Sequence, residues 1–264
     1  MVRLMTAQET NTHAKDDGPT THFGFRTVAE DEKSGLVRSV FDAVAPKYDL
    51  MNDLMSAGIH RLWKAALIDW LAPRPGQALI DVAGGTGDIA FRLRARMGEI
   101  GPPVTVCDIN AEMLKVGQGR AIDKGMLTGI SWACGNAEAL PFPDMSFDAY
   151  TIAFGLRNVT HIDQALKEAR RVLKPGGRFM CLEFSKVIAP ILDKLYDTYS
   201  FQVLPWLGGL VAGDREAYRY LAESIRRFPH QEALVARMGE AGFAQTKFRN
   251  LSGGIAAIHS GWRI

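Results

Sequence analysis

Between residues 78 and 183, short apolar runs alternate with stretches of helical periodicity, and no other feature narrows the fold as much. The runs cover residues 78–83, 104–108, 130–134, 147–154 and 178–183. They are nearly continuous in apolar character, as expected of strands covered on both faces. Helical segments follow from Asp88, over residues 111–124 and over 163–173. Lys174-Pro175-Gly176-Gly177 reads as a helix stop before the fifth strand. A further helix at 232–241 and two closing strands near 246–251 and 256–260 complete the pattern. The expectation is an α/β fold of Rossmann type, with a seven-stranded, mostly parallel sheet.

The flanks add to this frame. Leu36, Val37, Val40, Phe41 and Val44 recur at helical spacing until Pro46, and a second helix spans 59–71 before Pro73 and Pro75-Gly76. Residues 30–72 are thus N-terminal helices, and 30–264 a single domain preceded by a flexible segment, 1–29. In residues 184–228 the alternation stops, and Tyr196, Tyr199, Phe201, Trp206, Tyr218 and Tyr220 mark an inserted helical cap.

The first twenty or so residues are polar and mixed in charge, with no apolar core after a basic start, so a signal peptide is not expected. Asp16 and Asp17 weaken a mitochondrial presequence reading. No apolar run approaches the ~20 residues that span a bilayer. A cytoplasmic protein is expected, at most peripheral to the inner membrane. Net charge is only +2, without a clustered basic face, which excludes nucleic acid as a partner. Cys107, Cys134 and Cys181 lie in or at the ends of apolar runs and read as buried free thiols.

The first strand runs into Asp81-Val82-Ala83-Gly84-Gly85-Thr86-Gly87-Asp88, a glycine loop that opens a helix. With Ala90 in the last place it fits a dinucleotide fingerprint, and an acidic residue, Asp108, follows about twenty positions on. That match alone does not choose between NAD and S-adenosylmethionine. Charge weighs more. Asp81 and Asp88 would repel a pyrophosphate but welcome the ammonium and sulfonium of S-adenosylmethionine. Gly84, Gly85 and Gly87, with Thr86, let the backbone approach the ligand.

Asp108, followed by Ile109, suits ribose hydroxyls, because Asn110 is better placed to cap the next helix. Asn136-Ala137 would meet the adenine, although a helix cap accounts for Asn136 equally well. A glycine turn that merely packs strand on helix is the competing account of the loop. The histidines are scattered, so no metal is expected, and neither a phosphate-binding Gly-Lys-Ser/Thr loop nor a nucleophile elbow is present.

Longer blocks carry a resemblance. They include Thr21-His22-Phe23-Gly24-Phe25, Lys47-Tyr48-Asp49, Met51-Asn52-Asp53-Leu54-Met55-Ser56 and Gly58-Ile59-His60-Arg61-Leu62-Trp63-Lys64. They continue with Asn136-Ala137-Glu138-Ala139-Leu140-Pro141-Phe142-Pro143, Phe154-Gly155-Leu156-Arg157-Asn158-Val159-Thr160 and Tyr218-Arg219-Tyr220-Leu221-Ala222-Glu223-Ser224-Ile225. Over almost its whole length the chain resembles the ubiquinone/menaquinone biosynthesis C-methyltransferases of the UbiE type.

The resemblance implies a class I S-adenosylmethionine-dependent methyltransferase that releases S-adenosylhomocysteine. Its acceptor would be the ring carbon of a prenylated quinol, 2-polyprenyl-6-methoxy-1,4-benzoquinol and/or demethylmenaquinol. Thr86, Asp108, Asn136 and Ala137 match the family's cofactor positions. Ala153 stands where the family often has serine, so a hydroxyl contact is lost there. Arg157 is the leading candidate to stabilise a quinol oxyanion, although arginine is a poor base; a salt bridge to a surface carboxylate is the competing reading. Asn158, Tyr48 and His22 are candidates to orient ring hydroxyls, with helix-end packing the plainer account of Tyr48. The cap aromatics suit an isoprenoid tail or simple packing.

A transient membrane-surface contact, a homodimer and a quinone-biosynthesis complex all stay open as partners. Other readings are a related methyltransferase for another lipophilic or phenolic acceptor, a non-catalytic cofactor-binding subunit, and an NAD-dependent oxidoreductase. The last is disfavoured by Asp81 and Asp88.

Overall fold

The computed structural model describes residues 18–44, 53, 56, 58–187 and 215–264 of the chain. A hairpin of β1 (Thr20–Phe23) and β2 (Arg26–Ala29) leads into α1 (Glu30–Val44), and α2 (His60–Leu71) follows. Then come β3 (Leu79–Val82), α3 (Asp88–Met97), β4 (Val104–Asp108), α4 (Ala111–Asp123), β5 (Ile130–Cys134) and β6 (Phe147–Ala153). A short 3-10 turn, Leu156–Asn158, precedes α5 (Ile162–Val172) and β7 (Leu173–Phe184). The described chain resumes at α6 (Arg215–Arg227) and closes with α7 (Gln231–Glu240), β8 (Ala244–Leu251) and β9 (Ala256–Trp262).

The large sheet has seven strands in the order β5-β4-β3-β6-β7-β9-β8. Six strands run in one direction, and β9 alone lies antiparallel, between β7 and β8. The order reverses at β3 and β6, so the loops leaving their carboxyl ends diverge and open a crevice there. The expected doubly wound, mostly parallel sheet is what the chain forms.

Strand pleating sends alternate residues to opposite layers. Leu79 joins the core beneath α2 and α3, with Trp63, Leu67, Ile89 and Leu93. Ile80 and Val82 join the core on the other face, with Tyr150, Ile152, Leu166 and Leu234. Asp81 shares the face of Leu79, which brings a carboxylate into the α2/α3 layer.

The structure departs from expectation at four places. Residues 20–29 are a paired hairpin, so the N-terminal segment is not structureless up to residue 29. Phe23 of that hairpin stacks on Tyr220 at 4.1 Å between centroids, a long-range contact that local pattern could not announce. The Lys174–Gly177 stretch is not a plain stop before a strand at 178. It lies inside β7 as a wide bulge, in which the step from Phe147 to Ala149 faces the step from Leu173 to Arg178. Cys134, at the end of β5, is exposed, whereas Cys107 and Cys181 are buried free thiols as expected. The closing strands are also longer than predicted.

Of the cap, α6 is described and helical; Tyr196, Tyr199, Phe201 and Trp206 lie outside the described residues, as do Tyr48 and Met55.

Candidate functional site

The crevice at the carboxyl edge holds a cavity of about 230 Å³. Its floor is Val82, Ala83 and Gly85 after β3, Asp108 to Asn110 after β4, Gly135 to Glu138 after β5, and Phe154 and Gly155 after β6. Val37 and Phe41 of α1 roof it. Two non-glycine residues at adjacent strand ends, Ala83 (φ 50°) and Phe154 (φ 58°), adopt left-handed backbone. Such strain costs energy and concentrates where function fixes the geometry.

Asp108 ends β4 half-buried, its Oδ2 accepting from Gly85 N (2.8 Å) and its Oδ1 from Asn110 N (2.8 Å). Burial pushes its carboxyl upward against those amides. The two hydrogen bonds lock the carboxylate at the cavity floor. Asn110 caps α4, its side chain accepting from Glu112 N and Met113 N, which leaves Asp108 to the cavity as expected. Ile109, Met113 and Ala137 add apolar wall. Asn136 caps no helix; its Oδ1 accepts from Glu138 N (3.0 Å) in a local turn. Glu138 then accepts from Thr160 N (2.9 Å), tying the β5 loop to the β6 loop.

Asp81 is buried under this floor. Its cross-strand neighbour Thr151 donates to Oδ1 at 2.7 Å, while Oδ2 has no hydrogen-bond partner among the described residues. Burial raises its pKa to about 7, although the Thr151 hydroxyl and the Lys64 charge pull it down. A Cβ at Gly84 would stand 2.7 Å from that lone oxygen, so only glycine lets the loop pass over Asp81. Gly87 starts α3 at φ 83°, again a glycine conformation. Thr86 is buried, and its hydroxyl accepts from Arg120 Nη1 (3.0 Å), which fastens the loop to α4.

Asp88 contradicts the charge argument made from the sequence. Lys64 Nζ (2.8 Å) and Arg92 Nε (3.1 Å) both bind it. Burial alone would raise its pKa, but those cations outweigh burial and hold it below the usual carboxylate range. It faces away from the glycine-lined cavity, toward His60, Arg61 and Lys124. The preference for a cationic ligand therefore rests on Asp81 alone. Lys64 is the residue that sequence reasoning missed; it lies within a quoted block, but its pairing spans 24 positions.

Arg157 is buried too. Its Nη1 donates to both oxygens of Glu183 (3.1 Å each) and to Phe154 O, and the guanidinium lies 5.6 Å from the Phe184 ring. The partner is a fully buried carboxylate, not a surface one as the competing reading had it. Burial raises the Glu183 pKa against the opposing Arg157 charge. Arg157 lines a neighbouring cavity of about 210 Å³ with Lys33, His22 and Tyr220. Asn158, one residue on, does line the larger cavity, and its Oδ1 accepts from Tyr220 Oη (3.0 Å).

The structure thus brings Gly85, Asp108, Ile109, Asn136, Ala137 and Asn158 to one surface. Asp81 lies beneath the loop and Gly84 completes the turn. Thr86 and Gly87 do not line the cavity and face Arg120 and Trp132 instead, and Arg157 lines the adjoining cavity.

Residues 26–263 match the model of the ubiE/COQ5 methyltransferase family. A protein of Paracoccus denitrificans named ubiquinone/menaquinone biosynthesis C-methyltransferase UbiE is 59% identical over 94% of this chain and 99% of its own length. A mitochondrial 2-methoxy-6-polyprenyl-1,4-benzoquinol methylase of Danio rerio is 55% identical over 94% of this chain and 86% of its own. Among solved structures, a SAM-dependent methyltransferase from Aquifex aeolicus superposes with a TM-score of 0.55 at 15% identity, covering 76% of this chain and 89% of that one. The [4+2]-cyclase SpnF gives 0.58 at 17% identity, covering 86% and 94%. At such identities these two likenesses speak for the fold only.

Proposed function

This chain belongs to the ubiE/COQ5 methyltransferase family, and we propose that it methylates the ring carbon of a prenylated quinol with S-adenosylmethionine as donor. The acceptor is 2-polyprenyl-6-methoxy-1,4-benzoquinol, demethylmenaquinol or both, in keeping with the names of the bacterial and fish relatives. The carrying observation is the pair of carboxylates at the strand ends. Asp108 is fixed in the cavity floor by two amides, and Asp81 keeps one buried oxygen unpaired beneath the glycine loop. A buried unpaired carboxylate oxygen is costly, and a cationic ligand group relieves it.

In this reading Asp108 accepts from ribose hydroxyls, and Ile109, Met113 and Ala137 flank the purine with Asn136 at its edge. Asp81 favours the ammonium, and the glycine-loop amides receive the donor's carboxylate. The bound donor supplies an electrophilic methyl group, so alignment is the chief demand on the protein. Asn158 faces the same cavity and orients a ring oxygen; Arg157 braces its turn and adds positive charge beside it. Tyr48 stays a candidate for the same ring. An apolar prenyl tail calls for a transient contact with a membrane surface; no described helix is long and apolar enough to cross one.

Ligand-dependent melting tests the cofactor half of the reading. S-adenosylhomocysteine at ~100 times its Kd should add about 2.7 kcal/mol of stability, and NADH should add none. Stabilisation by NADH alone would reverse the assignment.

A further inference from the structure

The hydrogen bond between Tyr220 and Asn158 bears on which end of the Asn158 amide meets the cavity. Tyr220 sits on α6, nearly wholly buried, with its ring stacked on Phe23 of the hairpin. Its hydroxyl reaches Asn158 Oδ1 at 3.0 Å, across 62 positions of sequence. The stack fixes the ring and so fixes where the hydroxyl points. Burial raises the phenol pKa, with Arg157 opposing and Glu183 adding to the rise, so the group keeps its proton and remains a donor. A carboxamide has one oxygen and one NH₂ group. With the oxygen engaged by Tyr220, the NH₂ group is left for the cavity that Asn158 lines.

We propose that Tyr220 is a positioning residue that turns Asn158 into a dedicated hydrogen-bond donor toward a ring oxygen of the methyl acceptor. The inference rests on the quinol methyltransferase reading. It adds the polarity of the contact: Asn158 donates, so it favours an acceptor oxygen bearing negative charge, as a ring hydroxyl does while its proton leaves. It also gives the hairpin a task, because Phe23 holds the tyrosine from behind.

The test is a double-mutant cycle on the full chain, assayed with a short-tailed quinol and S-adenosylmethionine. Tyr220→Phe keeps the stack and removes the hydroxyl; kcat should fall about tenfold. Asn158→Ala should fall about a hundredfold. If Tyr220 acts through Asn158, the double variant is no slower than Asn158→Ala alone, and the melting shift given by S-adenosylhomocysteine is unchanged in all three. A Tyr220 hydroxyl acting independently of Asn158 would give additive losses near a thousandfold, which would overturn the proposal. So would a Tyr220→Phe enzyme within twofold of wild type.

Asn158→Asp supplies an independent check. The carboxylate still accepts from Tyr220 but offers no N–H, so kcat should fall below that of Asn158→Ala. Activity within threefold of wild type would refute the donor role. A wild-type enzyme inactive on every quinol would instead sink the functional reading itself.

Discussion

Replacing Arg157 with alanine should destabilise the protein by about 3–5 kcal/mol near neutral pH, because it strands a buried carboxylate. Glu183 has no solvent exposure, and Arg157 is its one cationic partner at ion-pair distance among the described residues. After the substitution, Glu183 keeps backbone donors from residue 157 (3.3 Å) and Phe184 (3.0 Å), which stabilise but do not neutralise it. The loss should depend on pH. The folded-state pKa of Glu183 already lies above its ordinary value of 4.5 and rises further without the guanidinium. A raised folded pKa means that the native state holds the proton more tightly, so stability falls as pH rises through the interval between the two values.

The defect of Arg157→Ala should therefore shrink toward pH 5 and grow toward pH 8. Denaturant melts across that range measure it. Arg157→Met with Glu183→Gln should recover most of the loss, since removing both charges avoids the stranded ion. A single variant within 1 kcal/mol of wild type at pH 8 would show that the pair carries little. Turnover should also drop, by about a hundredfold, because the Leu156–Asn158 turn loses its brace and a small misplacement is costly.

Asp81→Asn is expected to act in opposite directions on stability and on cofactor affinity. With a folded pKa of about 7 against an ordinary 3.8, ionised Asp81 costs the native state of the order of 4 kcal/mol above pH 7. The cost is absent below about pH 4 and develops as pH rises toward 7, so the asparagine variant should gain stability over that same window. Thr151 can still donate to the amide oxygen, which keeps the cross-strand bond. A bound ammonium stabilises the carboxylate form, so wild-type affinity for S-adenosylmethionine should strengthen as pH rises to about 7. The variant should bind at least tenfold more weakly at pH 8, with a flat pH dependence. Calorimetric titrations at pH 6 and 8 decide this; an unchanged affinity would remove Asp81 from the site.

Much of this architecture is legible in the chain because buried parallel strands leave continuous apolar runs that turn residues punctuate. The glycine loop, the cap at Asn110 and the placement of Asp108 follow from neighbours within a few positions. What escaped reading is long-range. Asp88 looked like a free carboxylate beside Asp81 because Lys64 reaches it from another helix. The competing reading of Arg157 names a surface carboxylate because Glu183, 26 positions away, comes to it only once β6 and β7 pair. The hairpin before α1 was hidden because polar four-residue strands have no periodicity to detect; its anchor, Phe23 on Tyr220, exists only in three dimensions. The bulge in β7 escapes local pattern for a related reason. Pro-Gly-Gly breaks a helix, but here it also swells a strand whose pairing partners lie elsewhere.

The central claim is methyl transfer to carbon. Incubation with methyl-¹³C S-adenosylmethionine and a short-tailed 6-methoxy-1,4-benzoquinol or demethylnaphthoquinol, followed by carbon NMR of the product, tests it most directly. One new ring-bound methyl carbon at an aromatic-methyl shift and one equivalent of S-adenosylhomocysteine are expected. A methoxy carbon, or no transfer to either ring despite cofactor binding, would contradict it.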